Sequence, residues 1–252
     1  MSISDSEIRD LSKDEIIEKY HQIKLSRDRV FAVTSHDLRS PFSGLLGISE
    51  MLSKNVSSFS PEDLQEYIST IHESLQNTYN LIENLFEWGR IERNKLEKTI
   101  ELIPLKLILE EILNNLGTFF TDKDIELEHD YDEQQIVSAN SRMLEFVLKN
   151  FLTNAVKYSA RGSSVSICCI KNGSNDEIQV IDRGVGISSE NQSKLFKPEF
   201  SWKRHGTEGE AGTGLGLLAS SRFAEYFNAE IRVSSAEAEG STFSLILPAP
   251  LS

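Results

Sequence analysis

Leu64, Ile68, Ile71, Leu75, Thr78, Ile82 and Leu85 recur at spacings that alternate four and three. That period is one stripe of a long helix, of the kind that forms a coiled-coil seam. The helix has a sharp start: Ser60 is suited to the N-cap, Pro61 to the first turn, and Glu62 and Asp63 face the helix dipole. It is predicted to run to about Lys98. A second seam precedes it. Ile16, Tyr20, Ile23 and Val30 lead into Phe31, Leu38, Phe42, Leu45 and Leu52, so residues 6 to 54 read as one long helix, broken between Asn55 and Ser60. Two long helices joined by a short turn make a hairpin. One hairpin has too little core to hide both stripes, whereas pairing two hairpins into a four-helix bundle buries them. The patterning therefore predicts a homodimer.

His36 lies in the first helix but off its apolar stripe. Its helical neighbours are Ala32, Ser40, Ser43 and Gly47, with Arg29 two turns back, which leaves room for something bulky to approach the imidazole. Pro41 removes a backbone donor and crowds the preceding turn, so a local kink is expected just after His36. A lone helical histidine is ordinarily a surface residue; the run S-H-D-L-R-S-P from Ser35 to Pro41 is what sets this one apart.

From Ile100 the texture changes to mixed α/β. Pro104 to Phe120, Ser141 to Ser159 and Gly214 to Asn228 read as helices. Ile125 to Tyr131, Ser164 to Ile170, Glu177 to Asp182, Ile231 to Val233 and Thr242 to Leu247 read as strands, the last two as a hairpin. The expected division is 1–98 for the helical hairpin and 99–252 for the α/β part. Phe86 and Trp88, at the end of the second helix, are expected to pack at their junction. The chain has 252 residues and a net charge of −13, which argues against nucleic acid or an anionic membrane as its main partner. No apolar run approaches the roughly 20 residues needed to cross a bilayer, and residues 1 to 14 are polar and acidic with no leader pattern, so a cytoplasmic location is expected. Cys168 and Cys169 are adjacent in a strand and point to opposite faces; they read as two small hydrophobes.

Four segments of the second half stand out. In N-F-L-T-N-A-V-K-Y-S, Asn150 and Asn154 share one helix face, with Lys157 a turn on; amides plus a cation suit hydrated magnesium and phosphate oxygens. In D-R-G-V-G-I, after a strand, Gly184 and Gly186 allow tight turns between Asp182 and Ile187 and close approach to a flat ligand. In L-F-K-P-E-F, Phe196 and Phe200 are suited to anchoring a loop, and the polar run Ser201 to Ala211 that follows resembles a mobile lid. In G-T-G-L-G-L, Gly212, Thr213, Gly214, Leu215, Gly216 and Leu217 open a helix, as phosphate-binding loops do. This last is neither a Walker loop nor a dinucleotide fingerprint. Each segment alone has an ordinary reading as a surface pair, a turn or a loop.

Taken together and in this order, they resemble the phosphoacceptor box, N box, first glycine box, F box and second glycine box of sensor histidine kinases. The resemblance spans residues 25 to 250. It implies a dimeric four-helix bundle followed by an α/β sandwich with helices on one sheet face, the fold shared with gyrase-type ATPases. It implies ATP and Mg²⁺ as cofactors. It implies that His36 accepts the γ-phosphate, with Asp37 as the general base, and that the phosphoryl group passes to an aspartate of a response-regulator receiver. By the same resemblance, Asn150 and Asn154 hold magnesium and Lys157 contacts phosphate. Tyr158 packs on the nucleotide, Asp182 accepts the adenine amino group, and Gly184, Gly186 and Ile187 shape the adenine pocket. Phe196 and residues 212 to 217 complete the nucleotide site. An upstream sensor domain or partner is expected to feed the first helix.

Three positions depart from the family pattern. Ser40 stands where a threonine or asparagine positions the dephosphorylating water, which puts phosphatase activity in doubt. Asn140 stands where an aspartate often precedes the N-box helix and still suits a cap. The stretch from Trp202 through Lys203 and Arg204 to His205 puts cations in the lid, for which solvation is the ordinary role. Two other functions compete with the kinase: a nucleotide-binding signalling scaffold and a gyrase-like ATPase. The second is disfavoured because Asn150 replaces the glutamate that such enzymes use to activate water.

Overall fold

The computed structural model describes residues 38, 41–55, 58–92, 99–196, 204–210, 214 and 216–248. The chain separates into two compact units, Met1–Asn94 and Lys95–Ser252.

In the first unit, residues 41–55 form α1 and Pro61–Glu92 forms α2, a single helix of 32 residues. The expected start is present. Ser60 Oγ accepts from the Asp63 N–H at 3.1 Å, and the Asp63 carboxylate accepts from the Ser60 N–H at 3.0 Å, a reciprocal capping box. Leu38 is also helical; residues 39 and 40, the region just after His36 where a kink is expected, and the stretch 6–37 of the predicted first helix lie outside the described residues. Ile68, Leu75, Tyr79 and Phe86 of α2 are exposed, and so are Phe42 and Leu46 of α1. The spacings of seven, four and seven in α2 keep these four on one face.

The second unit runs β1 (Glu101–Pro104), α3 (Leu105–Asp122), β2 (Glu126–Asp130), β3 (Ile136–Ala139), α4 (Ser141–Tyr158), β4 (Ser164–Asn172), β5 (Asn175–Asp182), α5 (Ser189–Gln192), α6 (Gly216–Tyr226), β6 (Glu230–Ala236) and β7 (Gly240–Leu247). One mixed sheet has the order β2-β4-β5-β7-β6, with β2 parallel to β4 and the other pairs antiparallel. Strands β1 and β3 form a separate two-stranded ladder. Alternation along the strands buries Val165 and Ile167, Ile178 and Val180, Phe243 and Leu245. Helix α4 packs over this side: Phe151 meets Phe243 with ring centroids 5.4 Å apart, and Phe146 meets Phe223 of α6 at 4.7 Å. Met143, Leu144, Val147, Leu148, Phe151, Leu152, Ala155 and Val156 are all buried, so α4 is the central helix of the core. Each large apolar side chain buried there contributes about 2 kcal/mol.

Three details differ from the reading of the sequence. Pro104 is not helical; it ends β1 with extended backbone and the helix begins at Leu105. The β1–β3 ladder and the short α5 were not expected. The last long helix begins at Gly216 rather than Gly214, because Gly214 has φ +68°, and it ends at Tyr226, ahead of Asn228 with φ +57°. A right-handed helix excludes both conformations. Asn140 caps α4 as expected, accepting from the Met143 N–H at 3.1 Å, and its amide also donates to the Thr99 carbonyl at 3.0 Å. Both thiols are free, and burial pushes them up, Cys169 to about 11, which fits their reading as two small hydrophobes.

Candidate nucleotide site

The site is built outward from α4. Asn150 and Asn154 lie one turn apart on that helix and are half-buried. The Asn150 amide nitrogen donates to the Phe146 carbonyl at 3.1 Å, which fixes the rotamer and turns Oδ1 toward Gly216. A Cβ on Gly216 would strike that oxygen. The start of α6 therefore sits against the first asparagine, and glycine is required there by close approach. Lys157 lies a turn beyond Asn154, its ammonium 5.2 Å from the Tyr158 ring centroid. Burial lowers this ammonium to about 8, with Glu210 opposing the shift and Lys123 adding to it.

At the C-terminal end of α4, the Tyr158 carbonyl accepts from the Val185 N–H at 3.2 Å. A Cβ on Gly184 would collide with that carbonyl, and one on Gly186, which has φ +62°, with the carbonyl of Ala236. The 183–187 loop is thus threaded between the end of α4 and the β6–β7 turn. Hydrogen bonds from Ala238 N–H to the Val185 carbonyl, 3.0 Å, and from Ile187 N–H to Ser235 Oγ, 2.8 Å, fasten it there. Gln192 of α5 donates to the carbonyls of Ile187 and Ser235, both at 2.7 Å.

Asp182, at the end of β5, is 5% exposed. Its Oδ1 accepts from the Gly184 N–H at 2.9 Å and the Ser241 N–H at 3.2 Å. Burial raises its pKa from 3.8 to about 6 even against these donors. Two bonds leave acceptor capacity for a further donor, such as an exocyclic amine.

The structure brings Asn150 to Gly216 and Gly184 to the carbonyl of Tyr158, with Asp182 bonded to the Gly184 N–H and with Gly186 and Ile187 against Ala236 and Ser235 of β6. Gly214 is exposed, Leu217 and Phe196 are half-buried, and Ile187 is buried. His36, Asp37, Ser40, Gly212, Thr213 and Leu215 lie outside the described residues. The lid expected over 201–211 is described at 204–210, and there it is tied down rather than loose. Thr207 N–H and Lys123 Nζ both donate to the Lys157 carbonyl, and Tyr158 OH donates to the Arg204 carbonyl. Arg204 is exposed, as expected, and also donates to the Gly186 carbonyl at 3.2 Å. Sequence reasoning missed Lys123, Glu210, Ser235 and Ser241, none of which stands in a recognisable motif.

Comparison with known proteins accounts for both units. Residues 26–94 match the family described as the His Kinase A (phospho-acceptor) domain. Residues 139–251 match the histidine kinase-, DNA gyrase B- and HSP90-like ATPases. A sensor-like histidine kinase of Mycobacterium tuberculosis, SenX3, is 29% identical over 91% of this chain and 56% of its own length. The histidine kinase AdeS of Acinetobacter baumannii superposes with a TM-score of 0.68 at 23% identity, over 86% of this chain and 98% of AdeS. Histidine kinase ThkA, in its complex with the response regulator TrrA, superposes with a TM-score of 0.67 at 18% identity, over 96% of this chain and 68% of ThkA. The chain spans about half the length of the curated relatives it matches. It belongs to the sensor histidine kinases of two-component systems.

Proposed function

We propose that this chain phosphorylates itself on His36 from ATP and passes the phosphoryl group to an aspartate of a response-regulator receiver. The observation that best supports this reading is the meeting of two distant glycine segments on one helix. Gly216 abuts Asn150, and the 184–186 loop abuts Tyr158, at opposite ends of the face that also carries Asn154 and Lys157.

In this reading the adenine amine donates to Asp182, and the flat base lies beside Gly184 and Gly186, where no side chain intervenes. Lys157 and the backbone N–H groups at the start of α6 face the phosphates. The residues present fit magnesium. Asn150 and Asn154 offer hard amide oxygens one turn apart, and magnesium characteristically takes few protein ligands, completing its shell with water and phosphate. When bound, the ion neutralises phosphate charge. The rest of the work is positioning. The neutral His36 nitrogen that lacks a proton attacks the γ-phosphorus, the bond from that phosphorus to the bridging oxygen breaks, and ADP leaves. Asp37 takes the proton from the other ring nitrogen. The receiver's aspartate then displaces His36 from phosphorus, as the co-structure of ThkA with a response regulator makes reasonable for this fold.

The exposed faces of α1 and α2 support a homodimer, because two such stripes cover each other in a four-helix bundle. No helix among the described residues is long and apolar enough to cross a membrane. No observation favours the scaffold alternative. Incubation with γ-labelled ATP and magnesium tests the proposal. Acid-labile, alkali-stable label is expected on the protein, absent from His36→Ala and transferable to a receiver. Nucleotide binding without any label would instead support the scaffold.

A further inference from the structure

Lys123 follows α3 directly and belongs to none of the nucleotide motifs, yet it is 4% exposed. Its ammonium donates to the Lys157 carbonyl at 2.9 Å and to Glu210 Oε1 at 2.7 Å. The other oxygen of Glu210 accepts from the Glu208 N–H at 2.8 Å, and the Glu210 carbonyl accepts from the Gly206 N–H at 2.9 Å. The segment 206–210 is therefore closed on itself, with a carboxylate projecting as a pin. Thr207 N–H reaches the same Lys157 carbonyl at 3.0 Å, and Thr207 Oγ1 donates to the Ser159 carbonyl. Two segments far apart in the chain, Lys123 and 206–210, thus converge on the end of α4. A Cβ on Gly206 would strike the Glu210 carboxylate and would lie 2.7 Å from the Lys157 stem, so the packing there is close.

We propose that Lys123 is a positioning residue for the nucleotide site. By pinning Glu210 and the Lys157 carbonyl together, it fixes the last turn of α4, and with it the Lys157 ammonium and the Tyr158 carbonyl on which the 184–186 loop rests. This inference rests on the reading of the site as a nucleotide site. The neighbouring pair Arg161–Glu208, at 2.8 Å, ties the loop after α4 to the same 206–210 segment but is solvent-exposed and screened, so it is a poor substitute. In the Lys123 pair the ammonium is buried and the Glu210 carboxylate is a third exposed, so removing the cation leaves a partly desolvated charge uncompensated.

The test uses the full chain as wild type, Lys123→Met, Lys123→Arg and the double variant Lys123→Met/Glu210→Gln. Melting temperature without nucleotide is measured beside kcat and KM for ATP in autophosphorylation. Lys123→Met is expected to raise KM for ATP on the order of tenfold to a hundredfold, with a smaller change in kcat, the scale at which a misplaced contact shows. Lys123→Arg recovers part of the loss, because a guanidinium can serve both acceptors. The double variant is no worse than Lys123→Met, because the two groups act as one unit. A folded Lys123→Met with wild-type KM, whether or not its melting point falls, overturns the proposal. Should Lys123→Met not fold, the double variant, which leaves no charge buried alone, decides in its place. If that too fails to fold, the pair holds the domain rather than the site, and the proposal is overturned. A wild type that binds no ATP overturns the nucleotide-site reading and this one with it; a wild type that binds beside folded variants that bind equally well overturns this one alone.

Discussion

At Asp182, burial and the proposed role as adenine acceptor act on one carboxylate in opposite directions. Burial raises its pKa from 3.8 to about 6, so between these values the native state holds more protons than the unfolded chain. Stability therefore falls as pH rises through that window, by about 3 kcal/mol in full above it. An adenine amine, however, needs the ionised form as its acceptor. Affinity for ATP is expected to decline as pH drops through about 6, and Asp182→Asn should lose that acid limb in a nucleotide titration. The same variant should melt at a higher temperature than wild type at neutral pH while binding ATP more weakly. Gly186 is constrained by backbone instead. With φ +62° and the Ala236 carbonyl where a Cβ would go, Gly186→Ala is expected to cost at least about 2 kcal/mol in denaturant unfolding. These motif residues are legible in the sequence because helical spacing or a short loop places them. Lys123 and Glu210 are not, since 87 residues separate them and only the folded sheet brings them together.

Among the elements, α2 shows how local chemistry fixes a boundary. Ser60 is the N-cap that the sequence announces, Asp63 completes a capping box with it, and Ser60→Ala is expected to lower the stability of the helical unit by about 1 kcal/mol in a thermal melt. Helix α4 is equally legible, since its apolar face and its asparagines follow one period. The β1–β3 ladder is not. Each strand has only four residues, too few for alternation to register, and their pairing joins Glu101 to Ala139 across 38 positions. Sequence pattern does not separate Gly214 from α6, because glycine is neutral to it; the positive φ of Gly214 belongs to the loop.

For the whole molecule, the exposed stripe of Ile68, Leu75, Tyr79 and Phe86 predicts the assembly. Ile68→Lys/Leu75→Lys is expected to shift the chain from dimer to monomer in sedimentation, while ATP binding by the second unit persists. The boundary between the two compact units, at Asn94 and Lys95, lies a few residues before the change of period near residue 100. The proposed transfer of phosphate to His36 rests on the family resemblance rather than on any pattern of spacing. The central claim is that ATP held beside Asn150, Asn154 and Asp182 delivers its γ-phosphate to one imidazole. The most direct test is to incubate the chain with ATP and magnesium, quench at alkaline pH, digest, and locate the phosphate by fragment mass. Phosphate on His36 is the predicted result. Phosphate on another residue, or ADP accumulating with no phosphate on the chain, would contradict it.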